Sequence, residues 1–328
     1  MRIPFTQLKA EFERILLNLQ FSEKKAADIA DIFASNSLDG VYTHGLNRFP
    51  VFVQLLKDGL INPDAEPVLV DAMGALERWD GQFGPGTLNA RFCMDRALEL
   101  AAQHGIGCVA IRNTNHWMRG GTYGWQAAEA GYIGINFTNA IAMMPPWGGI
   151  DPRQGNNPLV IAVPRADGHV VLDMAITQYS GGKMMQYQAA GEQLPLPGGY
   201  DKDGNLSSDP TEIIESKRYL PVGFWKGSGL SMMLDLLVSV LSHGKTVAGI
   251  TKAGREYGVS QVFIAIKADD EARSEQIIQE IIAYSKESRT DGNGEIRYPG
   301  EGTLRTRERN QKDGIPVDVK IWEQVQAL

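Results

Sequence analysis

Apolar positions near the N-terminus follow helical spacing. Phe5, Leu8, Phe12, Ile15, Leu16 and Leu19 share one face and predict a first helix. Ser22 reads as the N-cap of a second helix, with Ala26, Ile29, Ala30 and Phe33 on its inner face and Gly40 as its stop. A third helix is predicted over residues 48–57, ending at Gly59, with Pro50 in the first turn, where a missing N–H does little harm. Near Ala65 the pattern changes. EPVLVDA and ALERWD predict strands, and residues 87–103 an amphipathic helix closed by Gly105. CVAIR then predicts a strand, residues 122–130 a helix and YIGINFTN a strand. NPLVIAVP and HVVLDMA are β-branched and apolar enough for buried strands.

Residues 191–222 are rich in Gly, Pro and Asp and predict a long loop. Residues 227–242 follow as an almost wholly apolar, buried helix. VSQVFIAIKA is a strand, residues 271–285 a helix, and the chain after Tyr298 loop and short helices. Strands and helices interleave in the middle, and helices dominate both ends. The natural fold class is α/β, with an α/β core over residues 67–299 and a helical domain built from residues 1–66 and 300–328.

Composition narrows the function. The chain has 328 residues, 43% hydrophobic and 22% charged, close to the globular average. A net charge of -7 with mixed signs argues against nucleic acid as partner, and against a membrane patch. The two cysteines, Cys93 and Cys108, form no CxxC, which fits a reducing, cytoplasmic location. The N-terminus lacks the apolar run of a signal peptide, and no stretch approaches a membrane span.

The common nucleotide and hydrolase signatures are missing. No GxGxxG follows a strand, and GxxxxGK[ST], HExxH and GxSxG are absent. The histidines carry more. His104 and His243 sit where a cation interacts favourably with a helix C-terminus, and His169 follows a turn and reads as exposed. His44 lies in DGVYTHGLNRF, with Asn47 and Arg48 on the same face if the segment is helical. His116 lies in IRNTNHWMRGG just past a strand end, where α/β proteins place ligands, among Asn113, Asn115 and Arg119. Taken singly, each is as readily a structural histidine. Together, each beside an arginine, they point to an anion-binding catalytic site.

VYTHGLNRFP, RNTNHWMRGGTYGWQAAEAGYIGI, MPPWGG, FWKGSGLSMMLD and the ending IWEQVQAL resemble the malate/L-lactate dehydrogenase family along nearly the whole chain. The resemblance implies a non-Rossmann nicotinamide-binding α/β fold and a homodimer with active sites near the subunit interface. It implies NADH or NADPH as hydride donor, NADH being favoured, and no metal. His44 matches the catalytic histidine of one branch of the family, His116 that of other members, and Arg48 the arginine beside the substrate. Cofactor contacts fall on His169, Val170, Val171, Leu172, Asp173, Met174 and Ala175, on Trp225 and Lys226, and on Gly300, Glu301 and Gly302. The family pattern differs here at Asn156, where GTNP is common; the branch that this chain most resembles usually carries a hydroxyl at Ala175 and another residue at Glu301.

The chemistry so implied is reduction of a small 2-oxo acid. Its carboxylate pairs with Arg48, helped by Arg119 or Asn115. Hydride reaches the C2 carbonyl carbon, and a histidine protonates the oxygen. His44 is favoured as donor and His116 as polarising or orienting partner, with the reverse open. Lys226, Gly227 and Gly229 at a helix start suit a pyrophosphate. Malate, lactate, ureidoglycolate or cyclic imino-acid substrates are the alternatives within the family; a non-catalytic small-molecule binding protein is the alternative outside it.

Overall fold

The computed structural model describes residues 1–292 and 294–328. The N-terminal part comprises β1 (Arg2–Ile3), α1 (Phe5–Asn18), α2 (Glu23–Leu38), two single 3-10 turns at Tyr42–His44 and Leu46–Arg48, and α3 (Phe49–Lys57). Then come β2 (Val68–Met73), β3 (Leu76–Asp80), α4 (Gly86–His104), β4 (Ile106–Thr114), α5 (Gly121–Glu129) and β5 (Tyr132–Thr138). The middle continues with β6 (Ala142–Met144), β7 (Gln154–Gly155), β8 (Leu159–Val163), β9 (Val170–Met174), α6 (Gly181–Ala190), β10 (Gly199–Tyr200), β11 (Leu206–Ser207) and α7 (Pro210–Ser216). The last part holds α8 (Trp225–Ser242), α9 (Val247–Lys252), β12 (Val259–Lys267), α10 (Glu271–Lys286), α11 (Glu301–Asp313), β13 (Ile315–Pro316) and α12 (Val319–Gln326).

The main sheet has seven strands in the order β2-β3-β4-β12-β5-β8-β9. Only β3 and β4 run parallel; the other neighbours are antiparallel. A Rossmann sheet is mostly parallel, so the expected α/β core of non-Rossmann type is what is found. Strand alternation sorts the central residues between two layers. Val109, Ile111, Phe263 and Ala265 pack with α4, while Ala110 and Val262 pack with Leu234 and Val238 of α8.

The two chain ends meet. Arg2 and Ile3 pair with Pro316 and Ile315, and Ile315, Val317, Trp322 and Val325 join Phe12, Phe33 and Phe49 in one core cluster. Phe12 stacks on Phe49 with centroids 4.2 Å apart. Ser22 caps α2 by accepting from Lys25 N–H, and Gly105 closes α4 in the left-handed conformation at φ 81°.

Several expectations need correcting. The segment 191–222 is no plain loop, for it holds β10, β11 and α7. Asp209 caps α7 with Pro210 in its first turn, and Ile213 packs with Met184, Leu194 and Tyr219. Turn-rich composition masked these short elements. β8 and β9 are half-buried, because α5 covers Val160, Ala162 and Val171 while Ile161 and Leu172 face outward. α8 is buried on one side only; Met232, Met233, Leu236, Leu237 and Val240 are 44–65% exposed. α11 is a regular 13-residue helix, not a short one. His169 is half-buried: its Nδ1 accepts from Arg165 N–H and its ring lies 5.7 Å from Trp125. His243 is itself the left-handed cap of α8 rather than a last-turn residue.

Candidate active site

The C-terminal ends of β4, β5 and β9 and the starts of β8 and β12 share one sheet edge. The register places Thr114 opposite Val259, Thr138 opposite Gln261, Phe137 opposite Leu159 and Leu159 opposite Met174. A cleft of about 620 Å³ opens at this edge, within the ordinary range of ligand sites. Its wall includes His44, Arg48, His116, Arg119, Asp173 and Glu256.

The first wall comes from the 3-10 turns after α2. Asn36 Nδ2 donates to the His44 carbonyl at 2.9 Å, and Ser37 Oγ accepts from Leu46 N–H at 2.9 Å. The residue between must be glycine, since a Cβ on Gly45 would lie 2.2 Å from Ser37 Oγ. Leu46 and Phe49 are buried in the helical core, so His44 and Arg48 are left facing the cleft. His44 Nδ1 lies 3.2 Å from Thr43 Oγ1.

The second wall is the strap after β4. Asn115 donates its side-chain amide to the carbonyls of Leu60, Phe83 and Gly84, while its own carbonyl accepts from Gln261 Nε2. It anchors the strap and does not line the cleft. His116 Nδ1 accepts from Met118 N–H at 2.9 Å. The proton of the neutral ring therefore sits on Nε2, which is 3.7 Å from Glu256 Oε1. The His44 and His116 rings are near-parallel, with centroids 5.7 Å apart and planes at 16°.

Burial foremost, then the neighbouring imidazole and the Arg48 charge, push His44 down to about 3. Burial and Arg48 push His116 down to about 3. Both rings are thus neutral near pH 7. No carboxylate pairs with Arg48 among the described residues. An anion bound to Arg48 removes one cause of these depressed values and lets a histidine take up a proton. Such an arrangement can hold an anion beside two neutral imidazoles.

Arg119 is committed differently. Its Nη1 donates to Asp39 Oδ2 at 2.5 Å, and its Nε lies 3.4 Å from Asp173 Oδ2 without a formed hydrogen bond. Asp173 also accepts from Gly121 N–H at 3.0 Å.

The residues matched to cofactor contacts divide. Val171, Leu172, Asp173, Ala175 and Gly300 line the cleft. His169, Val170, Met174, Glu301 and Gly302 do not, and Glu301 instead pairs with Lys286 and Arg305. Trp225 and Lys226, exposed in the first turn of α8, lie outside the cleft of their own chain. A nicotinamide group fits the wall that remains. A Cβ on Gly300, at φ 95°, would come within 3.1 Å of Val171 N and 3.2 Å of the His169 carbonyl, so glycine keeps this side thin. The buried, unpartnered Arg119 Nε lies on the same wall. Among the described residues no cluster of three or more His, Cys, Asp or Glu could hold a metal.

Sequence patterns missed Glu256. It stands in AGREYG, between α9 and β12, with no periodic or motif signal around it. The 175–188 segment brings Ala175, Ser180, Gly181, Gly182 and Met185 to the cleft, and Met143 and Asn156 join them.

Known proteins match over the full length. The profile of the malate/L-lactate dehydrogenase family matches residues 3–326. A 2,3-diketo-L-gulonate reductase of Klebsiella pneumoniae is 47% identical over 333 aligned positions, covering 100% of both chains. Malate dehydrogenase from Entamoeba histolytica superposes with a TM-score of 0.94 at 26% identity, covering 100% of this chain and 96% of that one. Sulfolactate dehydrogenase from Methanocaldococcus jannaschii gives 0.89 at 29% identity, covering 99% and 95%. Non-parallel sheet, paired histidines and full-length similarity agree: the chain belongs to the malate/L-lactate dehydrogenase family.

Proposed function

We propose that this protein reduces a small 2-oxo acid resembling 2,3-diketo-L-gulonate, with NADH as donor, Arg48 as carboxylate clamp and His44 as proton donor. It is an oxidoreductase of 2-hydroxy and 2-oxo acids using a nicotinamide cofactor, as its family and full-length relatives are. The observation that carries the reading is Arg48, free of carboxylate partners among the described residues, beside two stacked neutral histidines.

The nicotinamide supplies a hydride to the C2 carbonyl carbon of the substrate. Arg48 holds the substrate carboxylate in a fixed fork. Negative charge then gathers on the carbonyl oxygen, where a proton must arrive. His116 has Nδ1 committed to Met118 N–H, whereas among the described residues the His44 ring has the adaptable Thr43 hydroxyl as its hydrogen-bond partner. This favours His44 as donor and His116 as the polarising partner. Val171, Leu172, Asp173 and Gly300 suit the cofactor side. Arg119, already tied to Asp39, offers little to a 2′-phosphate, which supports NADH over NADPH.

A homodimer is part of the proposal. The bare apolar face of α8 is larger than isolated surface hydrophobics explain, and a second copy covers it. That face lies beside Trp225 and Lys226, so either residue can serve the partner's cleft. Two free cysteines and the absence of a membrane-crossing helix among the described residues suit a cytoplasmic enzyme. We also propose the division into a helical unit, residues 1–66 and 300–328, and an α/β unit, residues 67–299, supported by the joint core of the two termini.

NADH consumption across 2,3-diketo-L-gulonate, oxaloacetate, pyruvate and cyclic imino acids tests the reading. Highest kcat/KM on the diketo acid is expected, and no oxidation of NADH or NADPH with any of them overturns it. Ala175 lines the cleft and departs from the reductase pattern, which favours malate- or lactate-type acids as the second reading.

A further inference from the structure

Glu256 is the one carboxylate facing the histidine pair that no sequence pattern marks. It sits between α9 and β12 and lines the cleft. One oxygen, Oε2, accepts from Ile141 N–H at 3.3 Å. The other, Oε1, faces His116 Nε2 at 3.7 Å. The opposite ring nitrogen is already held by Met118 N–H. His116 thus lies between a backbone donor on Nδ1 and a carboxylate acceptor toward Nε2.

We propose that Glu256 is a positioning residue for the reduction: it faces the Nε2–H of His116 and, together with the Met118 N–H on Nδ1, holds that ring's tautomer and plane, and so leaves His44 to deliver the proton. The inference rests on the reductase reading above. Its chemistry is ordinary. An imidazole whose second nitrogen meets a carboxylate is held in one tautomer and one orientation. A ring held this way donates from Nε2 and cannot relay a proton through Nδ1 without breaking the Met118 bond. In either protonation form an oxygen of Glu256 can accept from Nε2–H. Burial raises its pKa, while the Ile141 N–H and the Arg48 charge oppose that rise.

The test joins two readouts. Nitrogen-15 NMR of ligand-free protein reports the His116 tautomer directly, whatever the substrate is. Wild type is expected to show a single Nε2–H form. Glu256→Ala should give a mixed or shifted signature and lower kcat on the order of tenfold to a hundredfold, with little change in KM for NADH. Glu256→Gln, which keeps an acceptor oxygen, should recover the signature and most of the lost turnover. Glu256→Met, of similar volume and without an acceptor, replaces the alanine variant if that one does not fold.

An unchanged His116 signature in the variants overturns the proposal, even if kcat falls. An altered signature with kcat within twofold of wild type overturns it as well. A wild type that turns over no 2-oxo acid defeats the reductase reading instead, and leaves the His116 signature as a separate result.

Discussion

Asp39 and Arg119 form a 2.5 Å ion pair in which each side chain is 5% exposed. Asp39 caps the C-terminus of α2, and Arg119 stands on the strap after β4. Arg307 of α11 completes the group, with Nε 2.6 Å from Asp39 Oδ1. One carboxylate therefore ties the first helices, the last helices and the wall of the cleft together. Removing it strands two arginine charges, one of them fully desolvated. Asp39→Ala should destabilise the protein by roughly 3–5 kcal/mol, the usual cost of breaking a buried pair from one side. Urea unfolding measures this, and a loss below about 1 kcal/mol would show that water replaces the carboxylate.

The two histidines should separate kinetically. His44→Ala should lower kcat by about 10²-fold or more while NADH affinity is kept, because a positioned acid contributes that much. His116→Ala, which removes the orienting partner of His44, should cost less in kcat and more in the KM of the 2-oxo acid. A larger loss in kcat for His116→Ala than for His44→Ala would reverse the assignment.

Much of this was legible in the chain, for definite reasons. Long periodic elements such as α1, α2, α4 and β12 announce themselves because each buries one continuous face. Elimination among five histidines singles out His44 and His116, and the fold brings these two rings together on one cleft. What stayed hidden has physical causes too. α7 is seven residues long and capped by Asp209 inside a run of turn formers, so local composition outweighs its one buried face. Asn115 looks like a substrate ligand in sequence, yet its amide is consumed by three carbonyls that only the fold brings near. Glu256 carries no signal, since its meaning comes wholly from His116, Ile141 and Arg48, all distant in the chain.

The depressed histidines link pH to both binding and stability. Each has a folded value of about 3 against an ordinary 6.5, so the unfolded chain takes up protons first as pH falls. Stability is fully present above about pH 6.5 and declines toward pH 3, by at most about 1.4 kcal/mol per pH unit for each ring. Arg48 is one cause of the depression, so Arg48→Met should raise both values and flatten the decline. By the same logic, an anionic 2-oxo or 2-hydroxy acid on Arg48 should bind with net proton uptake at a pH above about 3 and below about 6.5. Calorimetry in buffers of different ionisation enthalpy reads the number of protons. No uptake would mean that the acid binds away from Arg48.

The bare face of α8 makes the last prediction. Met232, Leu236 and Val240 lie four residues apart and so share one helical face, with Met233 and Leu237 beside them. Trp225 and Lys226 begin the same helix and miss the cleft of their own chain. If a second copy covers this face, both residues reach solvent-excluded ground only in the assembly. Leu236→Arg places a charge in the covered face, and should convert a dimer to a monomer in light scattering. Lys226→Ala should leave the dimer intact and weaken NADH binding alone. If the α8 face serves as the route by which Lys226 meets cofactor, the monomeric Leu236→Arg protein must lose NADH affinity as well. A monomeric variant that binds NADH as tightly as wild type would separate assembly from cofactor binding and place Lys226 outside the site.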